Sequence, residues 1–266
     1  MTENPLGRSV APPENYAPEL LYPIPRKRVA GDKGHIVHGL DHWRAYELSW
    51  LDGNGKPDVF FGEFIFPADS PSMVESKSLK LYLAGLNRER FDNTDQAAER
   101  IRKDLANCCG ADPEVRIWGL TNYPDDCRLG DFSLIDHYPV SVADGPDAGL
   151  LETGTDRVGD RKVRTELFRS ICPVTGQPDW ASVAIAYGGR EIPEAALLSY
   201  LFSFRNHAAW HERCAEQAFR DIMRVCEPEQ LSLSMHFLRR GGLEINVYRS
   251  TAPVTPEQLM GRDARQ

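Results

Sequence analysis

The spacing of hydrophobic positions changes period twice in the first half of the chain, and the second half repeats those changes. From Trp43 apolar and polar residues alternate, and DVFFGEFIF (58–66) is a second β-prone run, so both predict strands. MVESKSLKLYLAGLNRERF (73–91) then moves to helical spacing, with Leu79, Tyr82, Leu83 and Leu86 on one stripe. Asn93-Thr94-Asp95 interrupt the stripe and can cap a second helix, QAAERIRKDLANCC (96–109), which ends at Gly110. EVRIWGL (114–120) reads as a strand.

Between Val140 and Arg161 the chain turns polar and glycine-rich (SVADGPDAGLLETGTDRVGD), which is linker composition. Beyond it KVRTELFRSI (162–171) and WASVAIAY (180–187) predict strands, and EAALLSYLFSFRN (194–206) and HERCAEQAFRDIMRVC (211–226) predict helices. LSLSMHFLRR-GG-LEINVYRS (231–250) predicts a β-hairpin around a two-residue Gly241-Gly242 turn. The halves correspond residue by residue: Lys56-Pro57-Asp58 with Gln177-Pro178-Asp179 before a strand, Tyr82-Leu83 with Tyr200-Leu201 in a helix. A length of 266 residues allows two modest domains, and the repeat makes them two copies of one ββααββ-like module. The expected class is α+β, antiparallel sheets with helices on one face. The boundaries expected are a proline-rich extended arm over 1–30, a first module over 31–150 and a second over 151–266.

Composition narrows the function classes. Hydrophobic residues make up 41%, and counting glycine brings the share into the ordinary globular range, which excludes a disordered chain or a collagen-like repeat. No run of about 18 apolar residues predicts a membrane helix, and MTENPLGRSV lacks a signal peptide's apolar core, so a cytoplasmic protein is expected. A net charge of -8 and a pI near 5.4 argue against duplex DNA or RNA as the main ligand. They leave room for a small anionic cofactor held by a few local cations. The cysteines (Cys108, Cys109, Cys127, Cys172, Cys214, Cys226) form no CxxC pair, which disfavours a zinc ribbon.

Four segments carry residues suited to chemistry. In RSICPVTGQPDW (169–180), Cys172 ends a strand and Asp179 follows across a TGQP turn. A thiolate nucleophile and a proton-delivering carboxyl could share one site there; a buried structural thiol and a turn-capping Asp fit the same pattern. In RNHAAWHERC (205–214), His207 and His211 are four apart, as metal ligands or as an ordinary histidine pair. Glu212 beside His211 could accept two parallel donors from an N–H/NH2 edge such as that of guanine, or simply complement a helix N-terminus. VESKSLKLY (74–82) combines helix N–H groups, hydroxyls and ammonium groups suited to a phosphate, or is an ordinary helix start. Arg239-Arg240-Gly241-Gly242 offers two guanidiniums at a hairpin tip, for phosphate or merely for solvent. There is no GxGxxG and no Walker loop.

Taken in order, these segments resemble the NADPH-dependent 7-cyano-7-deazaguanine reductases, the nitrile reductases of queuosine biosynthesis. Glu75-Ser76-Lys77-Ser78-Leu79-Lys80-Leu81-Tyr82 matches the family signature E-[SL]-K-[SA]-x-K-[LY]-[YFW] at every position. Cys172 with TGQPD, FRNHxxxHE and RRGG match as well, and the resemblance runs from the YPIPR arm to YRS near the C-terminus. It is to the long, two-module form, with the signature in the first module and the Cys and His-Glu pair in the second. The resemblance implies the tunnelling fold, also found in GTP cyclohydrolase I, and a homodimer.

It also implies roles. Cys172 would attack the nitrile carbon to form a thioimide, and Asp179 would protonate the nitrogen. Glu212 and His211 would read the deazaguanine edge, with Val74, Glu75 and Ser76 completing the substrate pocket. Ser76, Lys77, Arg240 and Gly241 would hold NADPH. The implied ligand is a small deazapurine, with no metal and no direct contact to nucleic acid. Two rivals differ in class: a zinc-dependent cyclohydrolase-like enzyme on the same fold, and a degenerate module that binds a base or tRNA without catalysis.

Overall fold

Strands form over the β-prone runs, two of them opening at proline, and helices form where the apolar stripe recurs. A computed structural model describes residues 11–26, 38–120, 131–140, 144–259, 261–262 and 265–266; Cys127, MTENPLGRSV and positions 141–143 of the linker lie outside the described residues. The described residues fall into two compact units. One draws on Met1–Ala30, His42–Pro124 and Arg239–Glu244, the other on Gly31–Asp41, Asp125–Leu238 and Ile245–Gln266.

In the first unit, β1 (Pro23–Pro25) pairs antiparallel with β4 (Ser72–Val74). A second sheet has the order β5-β3-β2, formed by β5 (Glu114–Gly119), β3 (Pro57–Pro67) and β2 (His38–Leu51, from His42 onward in this unit). α1 (Ser76–Gly85) and α2 (Thr94–Cys109) lie between β4 and β5 in the chain, and α2 packs on β5. Asn93 caps α2 by accepting the Gln96 N–H at 2.9 Å, and Gly110 ends it in the left-handed region at φ 72°. Trp50 stacks on Phe60 with ring centroids 3.9 Å apart, and Phe64, Leu79, Tyr82, Leu86 and Ile101 are fully enclosed.

The helical run predicted over 73–91 is shorter in the structure. Met73 and Val74 are strand, because the arm supplies them with a partner: Ile24 faces Met73 and Pro23 faces Val74. The far end, Leu86–Arg88, tightens to a 3-10 turn. The arm is thus an added strand, and the Tyr22 carbonyl also accepts the Glu75 N–H at 2.9 Å.

The second unit has the full ββααββ order: β7 (Arg157–Ile171), β8 (Pro178–Arg190), α3 (Glu194–Phe202), α4 (His211–Cys226), β9 (Gln230–Phe237) and β10 (Leu243–Ser250, from Ile245 in this unit). Its sheet runs β10-β9-β8-β7-β6, where β6 (Ser133–Leu134) was not expected from the sequence and pairs parallel with β7, the other pairs described being antiparallel. α3 packs on β7 and α4 on β9. The helix predicted over 194–206 changes to a 3-10 turn at Ser203–Asn206.

The repeat reaches into the hydrogen bonding. β3 opens at Pro57 and β8 at Pro178. The Tyr82 hydroxyl donates to Asp104 of α2 at 2.7 Å, and the Tyr200 hydroxyl donates to Asp221 of α4 at 2.8 Å. The α+β class with antiparallel-dominated sheets is as expected.

Candidate active site

The second unit holds Cys172, Asp179, His211 and Glu212 together. Cys172 follows β7 and is 7% exposed. Its N–H donates to the Gln177 carbonyl at 2.8 Å and its carbonyl accepts the Gly176 N–H at 3.0 Å, so the TGQP segment folds back on it. Gly176 has φ 67°, a conformation that a side chain would strain. Asp179, on β8, faces Ser170 across the pair and is 4% exposed. Cys172 lies two residues beyond Ser170, so the two-residue period of a strand puts thiol and carboxyl on one side of the sheet.

α4 begins at this carboxyl. His211, its first residue, brings Nε2 to 3.3 Å from Asp179 Oδ2. Its ring stacks on Phe237 of β9, centroids 3.9 Å apart and planes at 21°. Glu212, next in the helix, is also buried. Cys214 lies beneath: burial pushes its thiol up to about 12, and the Asp179 and Glu212 carboxylates add to the rise. Cys214 is thereby held as an inert thiol, which leaves Cys172 as the nucleophile candidate in this cluster. The sequence did not single out Ser170, Phe237 or Cys214 as neighbours of the site. For Ser170 and Phe237 the only signal was period-2 register, which cannot be read until strand partners are known, and for Cys214 it was a place one helical turn after Trp210 and His211.

His207 and His211 do not converge as a metal pair. The His207 ring meets Phe204 edge-on at 5.8 Å while His211 lies on Phe237. Among the described residues no group of His, Cys, Asp and Glu is arranged to hold a metal ion.

The first unit holds Val74, Glu75, Ser76, Lys77, Arg240 and Gly241. Glu75 is the N-cap of α1: its carboxylate oxygens accept the N–H groups of Lys77 and Ser78, each at 2.8 Å. Two of the N–H groups that the sequence offered to a phosphate are therefore taken by the chain's own carboxylate. Glu75 is fully buried, and burial raises its pKa although those hydrogen bonds oppose the rise. The Ser78 hydroxyl donates to the Glu75 carbonyl at 2.7 Å and accepts the Tyr22 N–H at 3.0 Å, which ties the arm to the same helix end.

The RRGG tip lies in the same unit as the signature helix. Gly241 and Gly242 have φ 57° and 78°, and Arg240 and Leu243 exchange backbone hydrogen bonds of 2.9 and 3.1 Å, the geometry of a two-residue hairpin. A Cβ on Gly241 would sit 3.3 Å from Lys80 Nζ, and one on Gly242 would strike the Glu47 carboxyl at 2.6 Å. Tyr46 anchors the tip. Its N–H donates to the Gly242 carbonyl at 2.9 Å, its hydroxyl donates to Glu244 at 2.5 Å, and the Arg239 guanidinium lies 4.4 Å over its ring.

The chain is similar to known proteins over its whole length. The family model "Nitrile reductase, 7-cyano-7-deazaguanine-reductase N-term" matches residues 13–117, and "QueF-like protein" matches residues 178–255. The NADPH-dependent 7-cyano-7-deazaguanine reductase of Bordetella parapertussis is 43% identical over 272 residues, covering 100% of this chain and 99% of the relative. The enzyme of the same name from Xanthomonas campestris pv. campestris is 44% identical over 268 residues, 98% of this chain and 97% of its own. With Cys172, Asp179 and His211 gathered in one unit and the signature helix and RRGG tip in the other, a match over the whole length means that the chain belongs to the 7-cyano-7-deazaguanine reductase family.

Proposed function

We propose that this chain reduces the nitrile of 7-cyano-7-deazaguanine to 7-aminomethyl-7-deazaguanine with NADPH, through a covalent thioimide on Cys172. The observation that carries the reading is the cluster of Cys172, Asp179 and His211 on one side of a sheet, with the His211 ring 3.3 Å from the Asp179 carboxyl. Cys172 adds its sulfur to the nitrile carbon, and one C–N π bond becomes a nitrogen lone pair. Asp179, which is buried on the same side of the sheet, delivers the proton that lone pair requires. His211, stacked on Phe237, steadies the carboxyl, and Glu212 with His211 reads the N–H/NH2 edge of the base. Val74, Glu75 and Ser76 would contact the substrate in this reading, which for these three rests on the family resemblance.

The first unit's residues suit a phosphate-bearing cofactor. Arg239 and Arg240 are exposed, and Gly241 lacks the Cβ that would crowd Lys80. Ser76, Lys77, Arg240 and Gly241 would hold the phosphate and ribose groups of NADPH. Each NADPH would supply one hydride, so the four-electron reduction would consume two NADPH molecules in turn. Expulsion of sulfur from the half-reduced carbon regenerates Cys172, and exclusion of water protects the resulting imine. A cytoplasmic homodimer acting on a small deazapurine, without direct contact to nucleic acid, belongs to the same proposal. Among the described residues no helix is long and apolar enough to cross a membrane.

Intact mass spectrometry after mixing with 7-cyano-7-deazaguanine tests the reading, followed by NADPH absorbance. A covalent adduct on wild type that Cys172→Ala abolishes is expected. No adduct on wild type, or an undiminished one on the variant, overturns the mechanism.

A further inference from the structure

β7 contains an irregularity that decides which way Cys172 points. Val163 faces Ile185 and Thr165 faces Val183, but Phe168 then faces Ala181 and Ser170 faces Asp179. Three steps along β7 are matched by two along β8, so one extra residue is inserted between Thr165 and Phe168. Since side chains alternate, that insertion reverses the orientation of everything after it. Without it Arg169 would oppose Asp179, and Cys172 would turn to the other side of the sheet. With it Arg169 opposes Trp180, with its guanidinium 5.9 Å over the indole, and Cys172 stays with Asp179.

The bulge leaves backbone groups outside the ladder, and two oxygens collect them. Asp136 follows the short strand β6, which runs beside β7 at Val163 and Arg164. Its Oδ1 accepts the Thr165 hydroxyl at 2.5 Å and its Oδ2 accepts the Glu166 N–H at 3.0 Å. Thr165 Oγ1 in turn accepts the Leu167 N–H at 3.1 Å. The Glu166 side chain is held by the Ser182 hydroxyl and by Arg164. Both amides of the inserted stretch are thus satisfied by one carboxylate and the hydroxyl that it orients. Removing them leaves donors that the chain can satisfy again by slipping one residue into the regular ladder.

We infer that Asp136 is a positioning residue for Cys172, acting through the bulge at Thr165–Phe168. The inference rests on the reading of Cys172 as nucleophile, but its test can be separated from that reading. Iodoacetamide labelling of Cys172, located by peptide mapping, requires no nitrile and no NADPH. Asp136→Ala is expected to change the Cys172 labelling rate, to speed hydrogen exchange at residues 166 and 167, and to slow nitrile-adduct formation by roughly 10²-fold. The KM for NADPH is expected to stay unchanged. Asp136→Asn, which keeps an acceptor for the Glu166 N–H, should recover much of the adduct rate, as a general loss of stability would not allow. Thr165→Val removes only the hydroxyl and serves where Asp136→Ala does not fold; it should shift labelling and adduct rate in the same direction. Wild-type labelling and exchange in Asp136→Ala, or in Thr165→Val if that alone folds, would overturn the inference. Failure of wild type to form an adduct would instead overturn the nitrile reading, with labelling still deciding the role of Asp136.

Discussion

The helix cap at Glu75 gives the sharpest stability prediction. Each carboxylate oxygen accepts one backbone N–H at 2.8 Å, and the side chain is fully buried. Losing an N-cap costs about 0.5–2 kcal/mol, and each hydrogen bond to a charged acceptor contributes about 1.5–3 kcal/mol. Desolvation of the carboxylate offsets part of this, as its raised pKa shows. Glu75→Ala should therefore destabilise by roughly 2 kcal/mol, the upper end of the capping range. Glu75→Gln keeps one acceptor and should cost about 1 kcal/mol. Urea unfolding followed by circular dichroism measures both. The pH dependence has a definite sign. With the folded pKa above the ordinary 4.5, the native state binds the proton more tightly than the unfolded chain. The advantage of wild type over Glu75→Gln is then greatest below 4.5 and declines as pH rises through the folded value. An alanine variant as stable as wild type across that range would refute the assignment of Glu75 as the cap.

Two further outcomes follow from the same geometry. Tyr82→Phe and Tyr200→Phe each remove a buried tyrosine's hydroxyl from a half-buried aspartate in equivalent places, and each should cost about 1 kcal/mol in chemical denaturation; a cost at one position only would mean that the repeat does not extend to these bonds. Glu63 lies in a buried network in which burial would raise its pKa, but the hydrogen bond from His42 and the charges of His42 and Arg44 hold it at about 2. Its contribution is thus complete above the ordinary 4.5 and is lost as pH falls from there toward 2, so Glu63→Gln should flatten that limb of the acid-unfolding curve.

Much of this was legible in the sequence, because much of it is local. The Gly-Gly hairpin, the Asn93 and Gly110 ends of the second helix, and the Pro57 and Pro178 strand starts each depend on residues within a few positions. The paired tyrosines revealed the repeat, although not the aspartates that they bind. What could not be read depends on partners far away in the chain. Met73 and Val74 carry helical spacing, and only the arm, some fifty residues earlier, makes them strand. Cys172 and Asp179 could be proposed as a pair from their turn. Their common side depends on the inserted residue in β7, and that on Asp136, whose surroundings DHYPV carry no pattern. Burial of Glu75 in its own helix cap was equally invisible, since the same E-S-K-S spacing suits a cap or a ligand.

Residues 239–244 complete a unit whose other segments end by Pro124. Synthesis order and folding order therefore part company. Arg44 is 2% exposed in the finished unit and its guanidinium donates to Glu244 at 2.6 Å, a bond between residues 200 positions apart. At about 5–20 residues per second, the stretch from Pro124 to Glu244 takes on the order of 6–24 s to emerge from a ribosome. Throughout that interval the nascent first unit holds a cationic core position without Glu244, and the segment that carries it arrives only after residues 125–238 of the second unit. Two copies of one module would by themselves fold one copy at a time; this chain withholds closure of its first copy until most of its second is made.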